Sequence, residues 1–364
     1  MRFAPRIAHL AVNVYRIPTD APESDGTFEW SATTVVVVRA RAANQEGLGY
    51  TYASRAAGVL IEELLAESVR GRDALDVQGC WDAMVHAVRN QGRPGIASMA
   101  IAAVDTALWD LKAHIVELPL AQLLGATRAR VPIYGSGGFT SYGLDQLADQ
   151  LGDWARAGVT RVKMKVGRDP AADLERVRTA RDAIGSATEL FVDANGAYSR
   201  KQALAFADEF ADIDVRWFEE PVSSDDLDGL HLLRDRAPAD MDIAAGEYGY
   251  DPFYFRRMLD ANAVDVLQAD ATRCGGITGF LQADALCTAR GMPLSAHCAP
   301  ALHLHPCCCA HSLRHLEYFH DHVRIEQMIF DGAVQPENGA LAPDLARPGH
   351  GLTLREADAA RFAI

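Results

Sequence analysis

The sequence predicts an α/β protein: a modified (β/α) TIM-type barrel with an N-terminal α+β capping domain. Three observations predict it. From Arg130 onward, eight short β-rich segments alternate with amphipathic stretches, the pitch of a barrel whose functional residues sit at the C-terminal ends of its strands. Ahead of them, three strand-like segments are followed by three helical ones, the pattern of a separate α+β module. Acidic residues then recur at the ends of three successive predicted strands, Asp193, Glu219 and Glu247, 26 and 28 residues apart, which is one strand–helix unit each.

Taken in order, residues 7–17 alternate apolar and polar like a half-buried strand. Ser31 to Arg41 carries four consecutive valines, and Gly47-Leu48-Gly49-Tyr50-Thr51-Tyr52 reads as a turn into a third strand. Pro18 to Asp25, rich in Pro, Asp and Ser, reads as a mobile loop. Helical periodicity covers 55–70, 76–90 and 95–116, and the capping domain is expected to span 1–125. The apolar stripe in Ala103 to Leu111 reads as core. Barrel strands are expected near 131–136, 161–166, 189–194, 215–219, 241–246, 264–269, 292–296 and 315–318, in a domain of 126–325. Beyond 325 the chain turns rich in Pro and Gly. Leu352-Thr353-Leu354 is expected to add a late strand against the first domain, making 326–364 a segment that returns to the capping domain.

Composition narrows the function. The 35 basic and 49 acidic groups give a net charge of −14, which argues against nucleic acid or anionic membranes as partners. A small anionic substrate remains compatible, because a bound divalent cation and a few lysines reverse the field locally. The opening MRFAPRIAHLAVNVY is interrupted by Pro5, His9 and Asn13 and lacks the apolar centre of a signal peptide. No apolar run approaches the roughly 20 residues of a membrane span. Seven cysteines, three of them consecutive at 307–309, suit no disulfide framework, so a reduced, cytoplasmic protein is expected.

The strand ends carry the chemistry. Residues i and i+2 of a strand face the same way, so Asp193 and Asn195 leave their strand pointing into one site, Asn195 as a support for Asp193 or as a substrate contact. Three carboxylates on three successive strands would repel one another without a cation, and oxygen-only ligation selects Mg²⁺ over zinc. Lys163 and Lys165 share a face at the end of the second barrel strand. Desolvation and mutual repulsion are expected to lower a lysine pKa there towards that of a base. Asp270 and His297 close adjacent strands, 27 residues apart, where the carboxylate fixes the imidazole tautomer. Glu317 completes the ring from strand eight. His303-Leu304-His305-Pro306-Cys307-Cys308-Cys309 has soft-metal ligands but no CxxC spacing, so cysteines packing a helix are the expectation. Tyr134, Ser136, Cys298, Tyr318 and His320 are expected to line the mouth, with loops near Val14 to Phe28 and Gly47 to Tyr52 closing over it.

The ordered set of motifs resembles the enolase superfamily, and within it the mandelate racemase subgroup. In the capping domain the resemblance rests on Asp105-Thr106-Ala107-Leu108-Trp109-Asp110-Leu111-Lys112 and Leu123-Leu124-Gly125. In the barrel it rests on Lys163-x-Lys165, Val192-Asp193-x-Asn195, Trp217-Phe218-Glu219-Glu220-Pro221, Gly246-Glu247, Asp270 before Gly275-Gly276-Ile277, Ser295-x-His297 and Glu317. It implies that Asp193, Glu219 and Glu247 bind Mg²⁺, and that Lys165 and His297 are acid/base groups on opposite faces of the substrate. Lys163 would lie near the substrate carboxylate, Asp270 would orient His297, and Glu317 would hydrogen-bond the carboxylate and its enolate. Muconate-lactonizing and dipeptide-epimerase relatives carry a lysine where this chain has Asp270, which argues against that subgroup. Arg273 stands where racemase relatives can carry Lys.

The implied activity is Mg²⁺-dependent abstraction of the proton α to a carboxylate, followed by dehydration of a sugar acid to a 2-keto-3-deoxy acid. Racemisation or epimerisation of a 2-hydroxy acid by the same Lys/His pair is the alternative. A zinc hydrolase using the histidines between 297 and 322, and a non-catalytic protein on the same fold, are further readings. The resemblance also implies a homo-oligomer.

Overall fold

The computed structural model describes residues 4–364. β1 (His9–Ser24), β2 (Glu29–Ala42) and β3 (Gln45–Tyr52) form an antiparallel sheet. Its valines explain their own unbroken run. Val36 and Val38 pack with the helices of the first domain, whereas Val35 and Val37 join a core that continues into the barrel. A sheet covered on both faces needs no polar alternation.

The segment Pro18 to Asp25 is not the loop its composition predicts. β1 runs on to Ser24, and its pairing with β2 shifts between Pro18↔Ala32 and Glu23↔Trp30. Five steps along one strand against two along the other make a wide bulge. Proline fits there because a bulge has no ladder bond for it to break. The tip of this hairpin lies on the barrel: the amide of Thr140 donates to the Ser24 carbonyl at 2.8 Å. A Cβ at Gly26 would stand 2.3 Å from the carbonyl oxygen of Ala194, so only glycine allows the approach.

Helices over 55–69, 77–90 and 96–115 follow, the first containing a π-helical turn at Ile61–Leu65. The long helix Ile96–Ile115 forms the seam with the barrel. Its Asp105 accepts the Thr278 amide at 2.9 Å and the Thr278 hydroxyl at 2.7 Å. Asp110 accepts the amides of Leu48 and His350, both at 2.8 Å. The apolar stripe of this helix is buried as expected.

Eight parallel strands then close on themselves: β4 (Val131–Gly137), β5 (Arg161–Lys165), β6 (Glu189–Asp193), β7 (Val215–Glu219), β8 (Asp242–Ala245), β9 (Val266–Ala269), β10 (Leu294–Ala296) and β11 (Leu313–Phe319), with β11 pairing β4. Tyr134, Phe191, Trp217, Ala244 and Val266 fill the interior as one layer, a packed floor beneath the mouth. The late strand differs from expectation. β12 (Phe330–Asp331) and β14 (Thr353–Leu354) pair with each other, while β13 (Ala340–Leu341) pairs with β4. The returning segment meets the first sheet on either side of β14 instead: His350 Nε2 lies 2.7 Å from the Leu48 carbonyl oxygen, and the Ile364 amide donates to the Val14 carbonyl at 3.1 Å. Among the described residues, no helix is long and apolar enough to cross a membrane.

Candidate active site

Strand register sets the site. Lys165 pairs with Asp193 and Asp193 with Glu219 across β5, β6 and β7, so three charged side chains leave the barrel at one level. Two residues below, Lys163, Phe191 and Trp217 point the same way. Glu247 follows β8 directly after Gly246, whose φ of 135° only glycine adopts freely. A Cβ there would meet the Gln268 carbonyl oxygen at 2.2 Å.

Carboxylate oxygens of Asp193, Glu219 and Glu247 lie within 4.8 Å of one another, all three residues buried. Burial and the neighbouring Asp193 push Glu219 up to about 8, with Lys163 opposing. Burial and then Glu247 push the adjacent Glu220 well up. Its Oε1 has no partner. Three buried carboxylates this close together, offering oxygen donors alone, suit a hard divalent cation, and the three residues fit Mg²⁺.

Around this cluster every polar atom has a direction. Lys165 Nζ sits 2.5 Å from Asp193 Oδ2. Lys163 Nζ is 2.6 Å from Glu219 Oε1 and 2.9 Å from Glu317 Oε1. The expectation of a lowered lysine pKa is not met at either position. Burial is the largest influence on Lys165 and lowers it, as does Lys163, but the carboxylates of Asp193, Glu219 and Glu247 together outweigh them, and the ammonium is held above its usual range. Glu219 and Glu317 do the same for Lys163.

On the other wall, His297 Nδ1 is 2.8 Å from Asp270 Oδ2. The second oxygen of Asp270 takes the amide and the hydroxyl of Thr272, each at 2.7 Å. Burial alone would raise Asp270; the imidazole holds it well below the ordinary range. This leaves His297 Nε2 facing inward, 3.3 Å from Cys298 Sγ and 3.2 Å from Glu247 Oε2. Glu317 Oε2 accepts the Cys298 amide at 3.1 Å. Arg273 binds Glu247 Oε1, also at 3.1 Å.

These groups open on a cavity of about 350 Å³ walled by Lys165, Asn195, Glu247, Arg273, His297, Cys298 and Glu317 below, and by the hairpin of β1 and β2 above. Asn195 is placed where either expected role is open to it. Its amide donates to Asp193 Oδ1 at 2.9 Å, and its side chain lines the cavity with an unpartnered Oδ1. Other expected contacts fall elsewhere. Strand alternation turns Tyr318 away from its neighbour Glu317, and its hydroxyl lies 3.1 Å from Gln335 Oε1 on the outer side. Tyr134 lies in the floor, its ring 5.2 Å from Lys163 Nζ, and Ser136 is buried without reaching the wall. His320 is outside the cavity, 2.9 Å from Asp20 on the hairpin.

The structure adds Phe28, Trp30, Thr33, Tyr248, Phe319 and His322 to the wall. Three of these had a legible signal. Tyr248 directly follows a strand-end carboxylate, and Phe28 and Trp30 share a strand face at the hairpin tip. The stretch 303–309 is a buried helix, Pro300–Cys309. His303 Nε2 accepts the Ala271 amide and His305 Nδ1 the Ala121 amide, so both imidazoles tie backbone together. The cysteines of this stretch are buried and unpaired.

Comparison with known proteins follows the same outline. Residues 14–125 match the mandelate racemase / muconate lactonizing enzyme N-terminal domain, and residues 146–358 match the enolase C-terminal domain-like family. The chain is a mandelate racemase/muconate lactonizing enzyme family member of the enolase superfamily. A mandelate racemase/muconate lactonizing enzyme-like protein from Rubrobacter xylanophilus shares 54% identity at a TM-score of 0.97, covering 99% of this chain and all of that one. A racemase from Streptomyces coelicolor with bound magnesium superposes at 0.92, with 29% identity over 98% of this chain and 100% of that one. The L-talarate/galactarate dehydratase of Salmonella typhimurium is 33% identical over 312 residues, 82% of this chain and 78% of the relative, and its structure is liganded with Mg. Mg²⁺ is the cofactor of this superfamily member.

One buried group on the hairpin makes a pH prediction outside the metal cluster. Glu23 is buried, accepts the Trp30 indole N–H at 2.7 Å, and has one unpartnered oxygen. Burial and the Asp321 carboxylate push it up to about 9. Between the unfolded value near 4.5 and that figure, the folded state keeps a proton that the unfolded state releases. Stability is therefore fullest below the unfolded value and falls as pH rises towards 9. Glu23→Gln is expected to flatten this slope and to stabilise the protein by about 2 kcal/mol at pH 8. Thermal unfolding at pH 5 and pH 8 checks it, and parallel curves for both proteins would refute it.

Proposed function

We propose that the protein removes the proton α to a carboxylate and then expels the β-hydroxyl, converting a sugar acid to a 2-keto-3-deoxy acid. One observation carries this reading. Lys165 and the Asp270–His297 pair, from strands separated by β11 and β4, face one cavity beside a buried carboxylate triad. When bound by Asp193, Glu219 and Glu247, Mg²⁺ supplies positive charge against which a substrate carboxylate can accumulate negative charge.

The chain's own residues do the rest. Lys163 and Glu317 form a fixed ion pair beside the triad and orient the carboxylate. Lys165 Nζ, able to lose its proton once Asp193 is engaged as a cation ligand and no longer holds the ammonium, would in its neutral form take the α-proton as the C–H electrons move into the enolate. His297, its Nδ1 held by Asp270, carries a proton on Nε2 towards the interior. That proton goes to the departing hydroxyl, which leaves as water as the C–O bond breaks. The resulting enol becomes the ketone by protonation at C3. Charge that develops only in the transition state is what such a preorganised site stabilises.

A second reading keeps the same first step. Because the cavity has a base on each of two walls, His297 can return the proton to the opposite face of the enolate, giving a racemase or epimerase. The dehydratase relative from Salmonella and the racemase relative from Streptomyces support one each. Incubation with Mg²⁺ and a panel of acid sugars, with semicarbazide detection of keto acid, tests the first. Absence of keto acid across the panel, together with α-deuterium uptake from D₂O into a 2-hydroxy acid, would establish the second.

A further inference from the structure

The cavity has two chemically different halves. Its inner half holds the reacting groups; its outer half is roofed by the hairpin. Phe28 and Trp30 lie with ring centroids 6.1 Å apart and planes 14° from parallel, and Ala32 and Phe319 continue that apolar wall.

Apart from one N–H of His322, the polar hydrogens of Trp30, Thr33 and Thr27 in the outer half are already engaged within the protein. The Trp30 indole N–H goes to Glu23. The Thr33 hydroxyl donates to Asp321 at 2.5 Å. The Thr27 hydroxyl and amide both go to Asp25 Oδ1. His322 accepts the Ala299 amide at Nδ1 and stacks on Tyr52 at 3.5 Å. Burial lowers its pKa to about 3, so it offers the cavity one N–H and no charge.

Charge is distributed just as unevenly. Besides Lys165 and His297, Arg273 is the one further permanent cation among the described residues lining the cavity, and it is bound to Glu247. Arg324 is turned to the Pro18 carbonyl and to Asp321. The hairpin itself contributes an acid, Asp25, to the wall.

We infer that this site takes a monocarboxylic acid whose far end is uncharged and ends in a hydrocarbon group, as in a terminally deoxygenated sugar acid, rather than a dicarboxylic acid. This rests on the proposed α-proton abstraction. A second carboxylate would lose its water against aromatic faces and meet Asp25, while Arg273 is already committed to Glu247 and leaves no free cation to replace the hydration. A terminal hydroxyl loses less, because an apolar wall rejects an added hydroxyl only modestly.

The test uses the Mg²⁺-loaded full-length protein in D₂O. It is given triplets of acids that share configuration from C2 to C5 and end in methyl, hydroxymethyl or carboxylate. Deuterium uptake at C2 or keto-acid formation is followed by NMR. For the configuration that reacts, the methyl compound is expected to exceed the hydroxymethyl compound by about 10- to 100-fold in kcat/KM and the diacid by more. Diacid turnover equal to or above that of the monoacids overturns the inference while leaving proton abstraction intact. No exchange from any triplet overturns proton abstraction, and this inference with it. Ala32→Lys gives an independent arm. A cation on the outer wall is expected to raise the diacid-to-monoacid ratio at least about tenfold; an unchanged ratio counts against the inference.

Discussion

Lys165→Ala is expected to lower kcat/KM by about 10²- to 10⁴-fold, the usual loss when a positioned general base is removed. The prediction is sharper when paired with His297→Asn. Lys165 and His297 stand on different walls of the cavity, and nothing in the hydrogen-bond pattern links one directly to the other. They should therefore fail in different ways. With Lys165 as the base, His297→Asn forms little keto acid but still washes the α-proton of the substrate into D₂O. Lys165→Ala should do neither. The opposite pattern, exchange surviving without Lys165 and vanishing without His297, would reverse the two roles. If neither variant lost activity, the cavity would not be where the chemistry happens.

Asp193→Asn should be as damaging, by another route. Asp193 Oδ2 lies 2.5 Å from Lys165 Nζ and 3.5 Å from Lys163 Nζ, and Oδ1 takes the Asn195 amide. An asparagine keeps the shape but loses the charge, and either its N–H₂ faces two ammoniums or it abandons the Asn195 amide. Mg²⁺ affinity is expected to fall at least about 100-fold, since even an outer partner of a ligand is commonly worth 10- to 100-fold. Activity at ordinary Mg²⁺ should drop to the level reached by dialysis against a chelator. Titration calorimetry beside the kinetics checks this. Unchanged Mg²⁺ binding with full activity would remove Asp193 from the cation site, and stoichiometric zinc surviving the substitution would favour a different metal altogether.

The barrel was legible because its strands are short, buried and bounded by helices of regular pitch; each of the eight expected segments contains or overlaps a strand. The strand-end residues were legible because a period of two puts Lys163 with Lys165, and Asp193 level with Glu219. The same rule, applied strictly, excludes Tyr318 from the cavity once Glu317 is placed in it. What escaped the sequence was tertiary. Nothing in Pro18 to Asp25 says that Gly26 will rest on the Ala194 carbonyl, so a strand with a bulge read as a loop. Desolvation was foreseen for the lysines, but not that Asp193, Glu219 and Glu247 would together outweigh it at Lys165. Phe319, two residues past Glu317 on β11, obeys that same period of two, whereas His322 lies in the next helix and only its packing brings the imidazole to the wall.

The hairpin over the cavity belongs to the first sheet, zipped along its length from His9↔Arg41 to Ser24↔Glu29, while the reacting groups hang from strands of another sheet. Selection can therefore act on the two separately. A codon change at Phe28, Trp30 or Ala32 alters which compounds the roof admits without moving Lys165, His297 or the carboxylates. A lineage can change its diet through these few positions and still hand down its chemistry unaltered, and a laboratory library confined to the hairpin should do in weeks what drift does slowly.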